Sequence, residues 1–290
     1  MPRTIVLAIR ETNLLRSRLQ KLLTLRTAYL QAPERETIHD LRVASRRSRE
    51  VLDYIQPILP LKSYDRLMSL SRRVTRSLGR LRETEVNLDL LSAWHKDEKI
   101  APVVAELLIF SQKHEFQRLN AKAQKRIQVR EFSQIEKFLS SLHGSRSILS
   151  TDSGVLERRN QEFLSFSWEG VMDDERLHDL RIRTKKFRYA VEIYDRLHNR
   201  NLGRFTRKIR NLQEVLGQLH DLYVLAELVR LEKEKWEESR MTMIPAAFGA
   251  AYEFVLSEKS KFYPLVFPLY SRILEKSPLL QVGPPVAAAV

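Results

Sequence analysis

The chain has 290 residues, 43% of them hydrophobic, and its 50 Lys and Arg outnumber 36 Asp and Glu to leave a formal net charge of +14. A core can be buried, and the positive surplus favours a polyanionic partner: nucleic acid, an anionic membrane surface or a phosphate polymer. There is no cysteine, which excludes structural disulfides, thiolate metal sites and a cysteine nucleophile.

Arg3, Arg10 and Glu11 bracket too short an oily run for a signal region, and no uncharged stretch reaches the roughly 20 residues that cross a bilayer. A cytoplasmic protein is therefore expected. Glycine and proline are sparse, with eight and eleven copies. Apolar residues recur at three and four nearly throughout, so the spacing predicts an all-α chain.

A first helix is expected over 4–30, with Ile5, Ile9, Leu15, Leu19, Leu22 and Leu23 among its apolar positions. Thr37 is a candidate N-cap for the second, with Asp40 as the acid of a capping box; Pro57 and Pro60 stop that helix near Gln56. Further helices are expected at 62–94, 102–128 and 131–142. The Ser/Gly-rich stretch His143–Gly154 reads as a linker. Helices near 155–166, 174–198, 203–236 and 245–275 follow. Residues 276–290, uncharged after Ser277 and with two adjacent prolines, read as a flexible tail.

Two of these helices are near copies. His39-Asp40-Leu41-Arg42 opens a run that continues through Arg46, Arg47 and Arg49; 139 residues later His178-Asp179-Leu180-Arg181 opens one that continues through Lys185, Lys186 and Arg188. On a helix, His39, Arg42, Arg46 and Arg49 share one narrow face about 15 Å long, as do His178, Arg181, Lys185 and Arg188. Arg47 and Lys186 lie at the edge of the row. The opposite face is oily: Leu41, Ala44, Ser48, Val51, Leu52 and Ile55 in one copy, Leu180, Phe187, Ala190, Val191 and Tyr194 in the other. Like charges four apart repel by a few tenths of a kcal/mol per pair. Two such rows with the same residue types at the same positions point to an anionic ligand that offsets the repulsion. The arginines suit bidentate phosphate contacts, and Lys185 acts as a point charge. Two roles are open to His39 and His178: a phosphate donor whose pKa a bound anion raises, or a first-turn histidine bonded within the fold. Asp53 and Glu192 fall inside the rows and are expected to hold the neighbouring cations extended.

The following long helices repeat as well. Leu78-Gly79 with Arg80, Leu81, Arg82 and Glu83 matches Leu216-Gly217 with Gln218, Leu219, His220 and Asp221, at an offset of 138. Gly79 and Gly217 are expected to permit close helix approach. Arg72, Arg73, Arg76 and Arg80 make the first of these helices basic, and Arg207, Lys208 and Arg210 do so for the second. A duplication of about 1–142 and 150–275 follows.

This arrangement, a His-x-x-Arg-x-x-x-basic-basic-x-Arg helix present twice and each time followed by a Leu-Gly helix, resembles the CHAD domain, the conserved histidine α-helical domain, over residues 1 to 275. The resemblance implies two four-helix bundles related by pseudo-two-fold symmetry, with basic residues of both lining a shared groove. It implies binding of inorganic polyphosphate without catalysis or cofactor, and a place in the cytoplasm at polyphosphate granules. The Glu-x-Glu-x-Lys strand motif of the CYTH domain that accompanies many members is not found, so a stand-alone module of 1–290 is expected.

Two other classes compete. Metal-dependent phosphohydrolases use adjacent His and Asp, a pair that occurs three times here, yet two of the three run directly into a row of arginines that repels a divalent cation. A nucleic-acid binder suits the charge, but the rows are not interleaved with aromatics for base stacking. No Walker sequence or His-Glu-x-x-His is present.

Overall fold

The computed structural model describes residues 5–145, 154–170, 172–237 and 243–275. In chain order these form β1 (Ile5–Ala8), α1 (Ile9–Gln31), α2 (Arg35–Tyr54), α3 (Leu61–Lys96), α4 (Pro102–Ile127), α5 (Ser133–Ser141), β2 (Leu142–Ser145), α6 (Val155–Leu164), α7 (Asp174–His198), α8 (Gly203–Glu237), α9 (Met243–Ser260) and α10 (Tyr263–Leu274). Short 3-10 turns lie at Gln56–Ile58 and Arg130–Phe132. The fold is all-α, as the periodicity predicts, and no helix among the described residues is long and apolar enough to cross a membrane.

The helix expected over 4–30 starts later, because β1 pairs in parallel with β2, Ile5 opposite Leu142 and Ala8 opposite Ser145. Long-range partners fix this boundary. The Thr12 hydroxyl donates to the His143 carbonyl at 3.3 Å, and the Arg16 guanidinium donates to the carbonyls of Leu139 and Leu142 at 3.2 and 2.6 Å. A Cβ on Gly144 would lie 3.2 Å from the Ile9 Cα, tighter than ordinary contact, so glycine suits this close approach. The expected linker therefore begins as a strand at His143–Ser145; its residues 146–153 lie outside the described residues, as does the expected tail 276–290.

Thr37 is not an N-cap. α2 starts at Arg35 after Glu34, and the Thr37 hydroxyl donates backward to the carbonyls of Ala32 and Glu34 at 2.7 and 2.8 Å, which rules out a capping box with Asp40. The final helix expected over 245–275 is two helices. Pro264, in the first turn of α10, lacks an N–H and its ring clashes with the carbonyl four residues back, so α9 stops at Ser260. The expectation for Gly79 and Gly217 also fails: a Cβ at either would meet nothing within 4 Å.

The chain forms two compact units. The first is Met1–Ser153 with Val224–Phe254, the second Gly154–Tyr223 with Val255–Val290. Both α8 and α9 are thus divided between units, which differs from a single cut in the linker. In the first unit the Trp94 ring of α3 meets Phe254 of α9 edge-on at 5.0 Å, and the Ser111 hydroxyl of α4 donates to Glu232 of α8 at 3.3 Å. These contacts draw the ends of α8 and α9 into the first core. The second unit packs Phe163, Phe187, Leu212, Leu216 and Tyr270 into one apolar cluster. Phe163 stacks on Phe187 at 4.9 Å, and the Tyr270 hydroxyl donates to the Phe163 carbonyl at 3.0 Å.

Candidate functional site

The oily face of α2 is buried as the pattern predicts: Leu41, Ala44, Ser48, Val51, Leu52 and Ile55 are all in the core. Two hydroxyls set the helix's rotation. Ser48 donates to the Arg18 carbonyl of α1 at 3.1 Å, and Ser45 lies 3.0 Å from the Thr75 hydroxyl of α3. With that face fixed, His39 and Arg47 are exposed and Arg42, Arg46 and Arg49 are half-buried. Although His39 is exposed by surface area, partial desolvation of its ring, together with Arg82 of α3 and with Arg42 and Arg46, pulls the imidazole below its ordinary value against the opposing pull of Asp40. Burial also lowers Arg49, with Arg72 and Arg76 of α3 adding to it while Glu50 and Asp53 oppose. The Nε of Arg49 is buried without a hydrogen-bond partner among the described residues. Arg49, Arg72 and Arg76 thus form one cluster across α2 and α3.

The other basic residues of α3 are differently placed. Arg73 reaches Glu131 at 3.5 Å, and Arg80 reaches Glu115 at 3.3 Å. Glu115 is shared with Arg118 at 2.6 Å, whose hydrogen bond is the main reason its carboxyl sits below the usual range. Arg72, Arg73 and Arg76 line a cleft of about 590 Å³ closed on its far side by Lys125 and Arg126 of α4.

In α7 the pattern again predicts the buried side: Leu180, Phe187, Ala190 and Val191 are in the core and Tyr194 is half-buried. His178 is exposed, with Arg181, Lys185 and Lys186 half-buried. Arg188 differs from its counterpart Arg49. It is only 8% exposed, sits over the Tyr189 ring at 4.5 Å, and pairs with Glu192 at 3.4 Å. Glu192 also reaches Arg210 of α8 at 3.5 Å. The expected acid-to-cation pairing in the row therefore holds for Glu192, at the cost of the availability of Arg188 and Arg210. Arg207 is exposed and Lys208 half-buried on α8. Arg183, outside the row, is structural: it bonds Asp179 at 2.7 Å and the Glu162 carbonyl at 2.6 Å.

The sequence reading passed over one position in each unit. Arg82 lies near enough to His39 to depress its pKa, and the His220 ring lies 5.3 Å from that of His178. Arg82 and His220 are counterparts at the 138-residue offset, so the second repeat held the signal. His178 and His220 line a cleft of about 290 Å³ with Arg181, Tyr223, Asp174 and Glu175. Lys259 of α9 closes this corner, bonding Asp174 at 2.5 Å. Burial pulls its ammonium down, but the bonds to Asp174 and Tyr263 outweigh burial and hold it above the ordinary value. Lys125 and Arg126 had no comparable signal in the sequence.

These features define an all-helical protein with a repeated basic helix in each of two units. The sequence model of the CHAD domain matches residues 13–230, and the chain belongs to that family. No protein of curated function matches it. Its fold is similar to the crystal structure of the CHAD domain from the plant Ricinus communis, with a TM-score of 0.68 at 18% identity over 95% of this chain and 94% of that one. It is also similar to PptA from Streptomyces chartreusis, with a TM-score of 0.67 at 15% identity over 92% of this chain and 98% of that one.

Proposed function

We propose that the protein binds inorganic polyphosphate through its two basic helix faces and does not turn it over. The observation that carries this reading is the convergence of Arg49, Arg72 and Arg76 in the first unit. After burial, Arg72 and Arg76 both pull the Arg49 guanidinium below its ordinary value, and none of the three is in an ion pair among the described residues. A phosphate chain laid along α2 and α3 relieves that repulsion with charge-assisted, bidentate contacts. In the second unit His178, Arg181, Lys185 and Lys186 offer a shorter face for the same polymer. Membership in the CHAD family supports the reading, and a cytoplasmic site at polyphosphate granules accords with it.

The residues weigh against a metal-dependent phosphohydrolase. Asp179, the acid of the second His-Asp pair, is bonded to Arg183, and Arg82, Arg42 and Arg46 surround His39 with positive charge. The test is a titration of the full chain with long-chain polyphosphate and with single-stranded DNA of equal charge, at about 0.15 M salt. Polyphosphate should bind more tightly, with an affinity that falls steeply with added salt as neutralised phosphates release counterions. Equal affinity for the two polymers would show a generic polyanion binder. Release of orthophosphate with Mg²⁺ or Mn²⁺, lost in His39→Ala or His178→Ala, would show a phosphohydrolase.

A further inference from the structure

Among the described residues nothing covers the outer face of α4. Val104, Ala105, Leu108 and Leu119 turn into the core, where α4 packs on α3, and Ser111 lies toward α8 through its bond to Glu232. That rotation leaves Phe110 on the far side, 66% exposed. Val103, seven residues back, shares its face and is also exposed. The His114 ring meets Phe110 edge-on at 4.5 Å. A lone exposed apolar residue is ordinary; the charges beside this one set it apart.

Glu106 and Lys113 stand on one side of Phe110, before and after it in the chain, about 40° and 60° round the helix from it. About 10.5 Å along the axis separates them, too far to pair within one chain. Both are exposed, and neither is in an ion pair among the described residues. Now lay a second copy of the helix antiparallel, with a two-fold axis passing beside Phe110. Glu106 of each copy comes level with Lys113 of the other, to within about 1.5 Å along the axis. Both pairs form at one edge of the contact, because the two-fold returns each edge to itself. At the other edge Leu107 comes level with His114, and Val103 with Gln117, while the two Phe110 rings meet at the centre. No two like charges of this face fall opposite each other. An aromatic centre with charges at its rim is the ordinary anatomy of a protein–protein contact.

We infer that the outer face of α4 is a contact between two copies of this chain, paired through antiparallel α4 helices with Phe110 at the centre and reciprocal Glu106–Lys113 ion pairs at the rim. A two-fold contact demands a self-complementary surface, and the two charges of this face are placed to answer each other across copies. One helix face is a small contact, so the association belongs to the weak class. The net charge of +14 on each chain opposes it until salt screens the field. The contact uses none of the residues proposed to hold polyphosphate, so the two readings fail separately.

The test is sedimentation velocity of the full chain at about 0.15 M salt, over about 5 to 500 µM, the range that reports weak association. A shift from monomer to dimer with rising concentration is expected. Phe110→Ser should remove it. Glu106→Lys and Lys113→Glu should each weaken it at least tenfold, with far-UV circular dichroism unchanged in all three because the residues are exposed. An equimolar mixture of the Glu106→Lys and Lys113→Glu proteins should dimerise again, since one then presents only lysines and the other only glutamates at the facing positions. A monomer throughout the range overturns the inference. A dimer that Phe110→Ser leaves intact forms through another surface and overturns this face. A dimer that needs Phe110, yet that neither charge reversal weakens or that the mixture fails to restore, overturns the antiparallel pairing.

Discussion

The two basic helices carry the same residue types at the same spacing, yet their surroundings set them different tasks. On α2, Arg49 faces Arg72 and Arg76, and its buried Nε has no hydrogen-bond partner among the described residues. On α7, Arg188 is sunk to 8% exposure and shares Glu192 with Arg210. At the first turn, His39 has Arg82 nearby while His178 has the ring of His220. A repeated row is therefore not a repeated site. A cation is available to a ligand only where the neighbouring helix leaves it without a carboxylate.

The largest effect should come from stripping the row of the first unit. Arg42→Gln/Arg46→Gln/Arg49→Gln removes three charge-assisted contacts of about 1.5–3 kcal/mol each, so long-chain polyphosphate affinity should fall at least a hundredfold by titration calorimetry. Arg181→Gln/Lys185→Gln/Arg188→Gln should cost about tenfold less than that variant does, because one of its three cations is already committed to Glu192 and only two contacts are lost. Equal losses would erase the asymmetry.

A narrower comparison sets Arg49→Gln against Arg188→Gln. The first should weaken binding about tenfold with stability nearly unchanged. The second should lower the unfolding free energy by about 1–3 kcal/mol in a denaturant melt, because it removes a buried, ion-paired guanidinium and its packing, and should change affinity less than threefold. A stable Arg188→Gln protein that loses polyphosphate would restore Arg188 to the binding face.

Next in size is the pH response of the first unit. The His39 pKa is depressed in the free protein by partial desolvation and by Arg82, Arg42 and Arg46, against Asp40. Bound phosphate raises it, so binding takes up a proton. Affinity should be greatest below the free pKa and should fall as pH rises through the bound one. Because the folded pKa is below the unfolded one, His39 also makes the ligand-free protein less stable as pH drops below the unfolded value near 6.5. His39→Gln should remove its share of both responses. An unaltered pH profile in that variant would make His39 structural.

The smallest effects belong to the helix glycines. With open space where a Cβ would stand, Gly79→Ala and Gly217→Ala should each raise stability by up to about 1 kcal/mol and leave polyphosphate affinity unchanged. Destabilisation by either would show that its helix needs the glycine.

Much of the fold was legible in the sequence because helices report themselves locally. The period-3.6 burial of Leu41, Ala44, Ser48, Val51 and Leu52, and of Leu180, Phe187, Ala190 and Val191, can be read from residue type alone, and so can the charged rows opposite. Boundaries set by distant partners could not be read that way. β1 is a strand because it meets β2, and the Thr37 hydroxyl turned to carbonyls behind it rather than to its own helix. The break before α10 was legible in Pro264, whose effect follows from its own covalent structure. For the candidate site, the apolar side of each helix gave its rotation, which leaves His39, Arg42, Arg46 and Arg49 of α2 outside the core but not Arg188 of α7. Only tertiary structure decided which of them a carboxylate claims, as Glu192 claims Arg188, and which distant cations join them, as Arg72 and Arg76 of α3 join Arg49. Charge is a property of the residue, but its availability depends on what the fold places within a few ångströms.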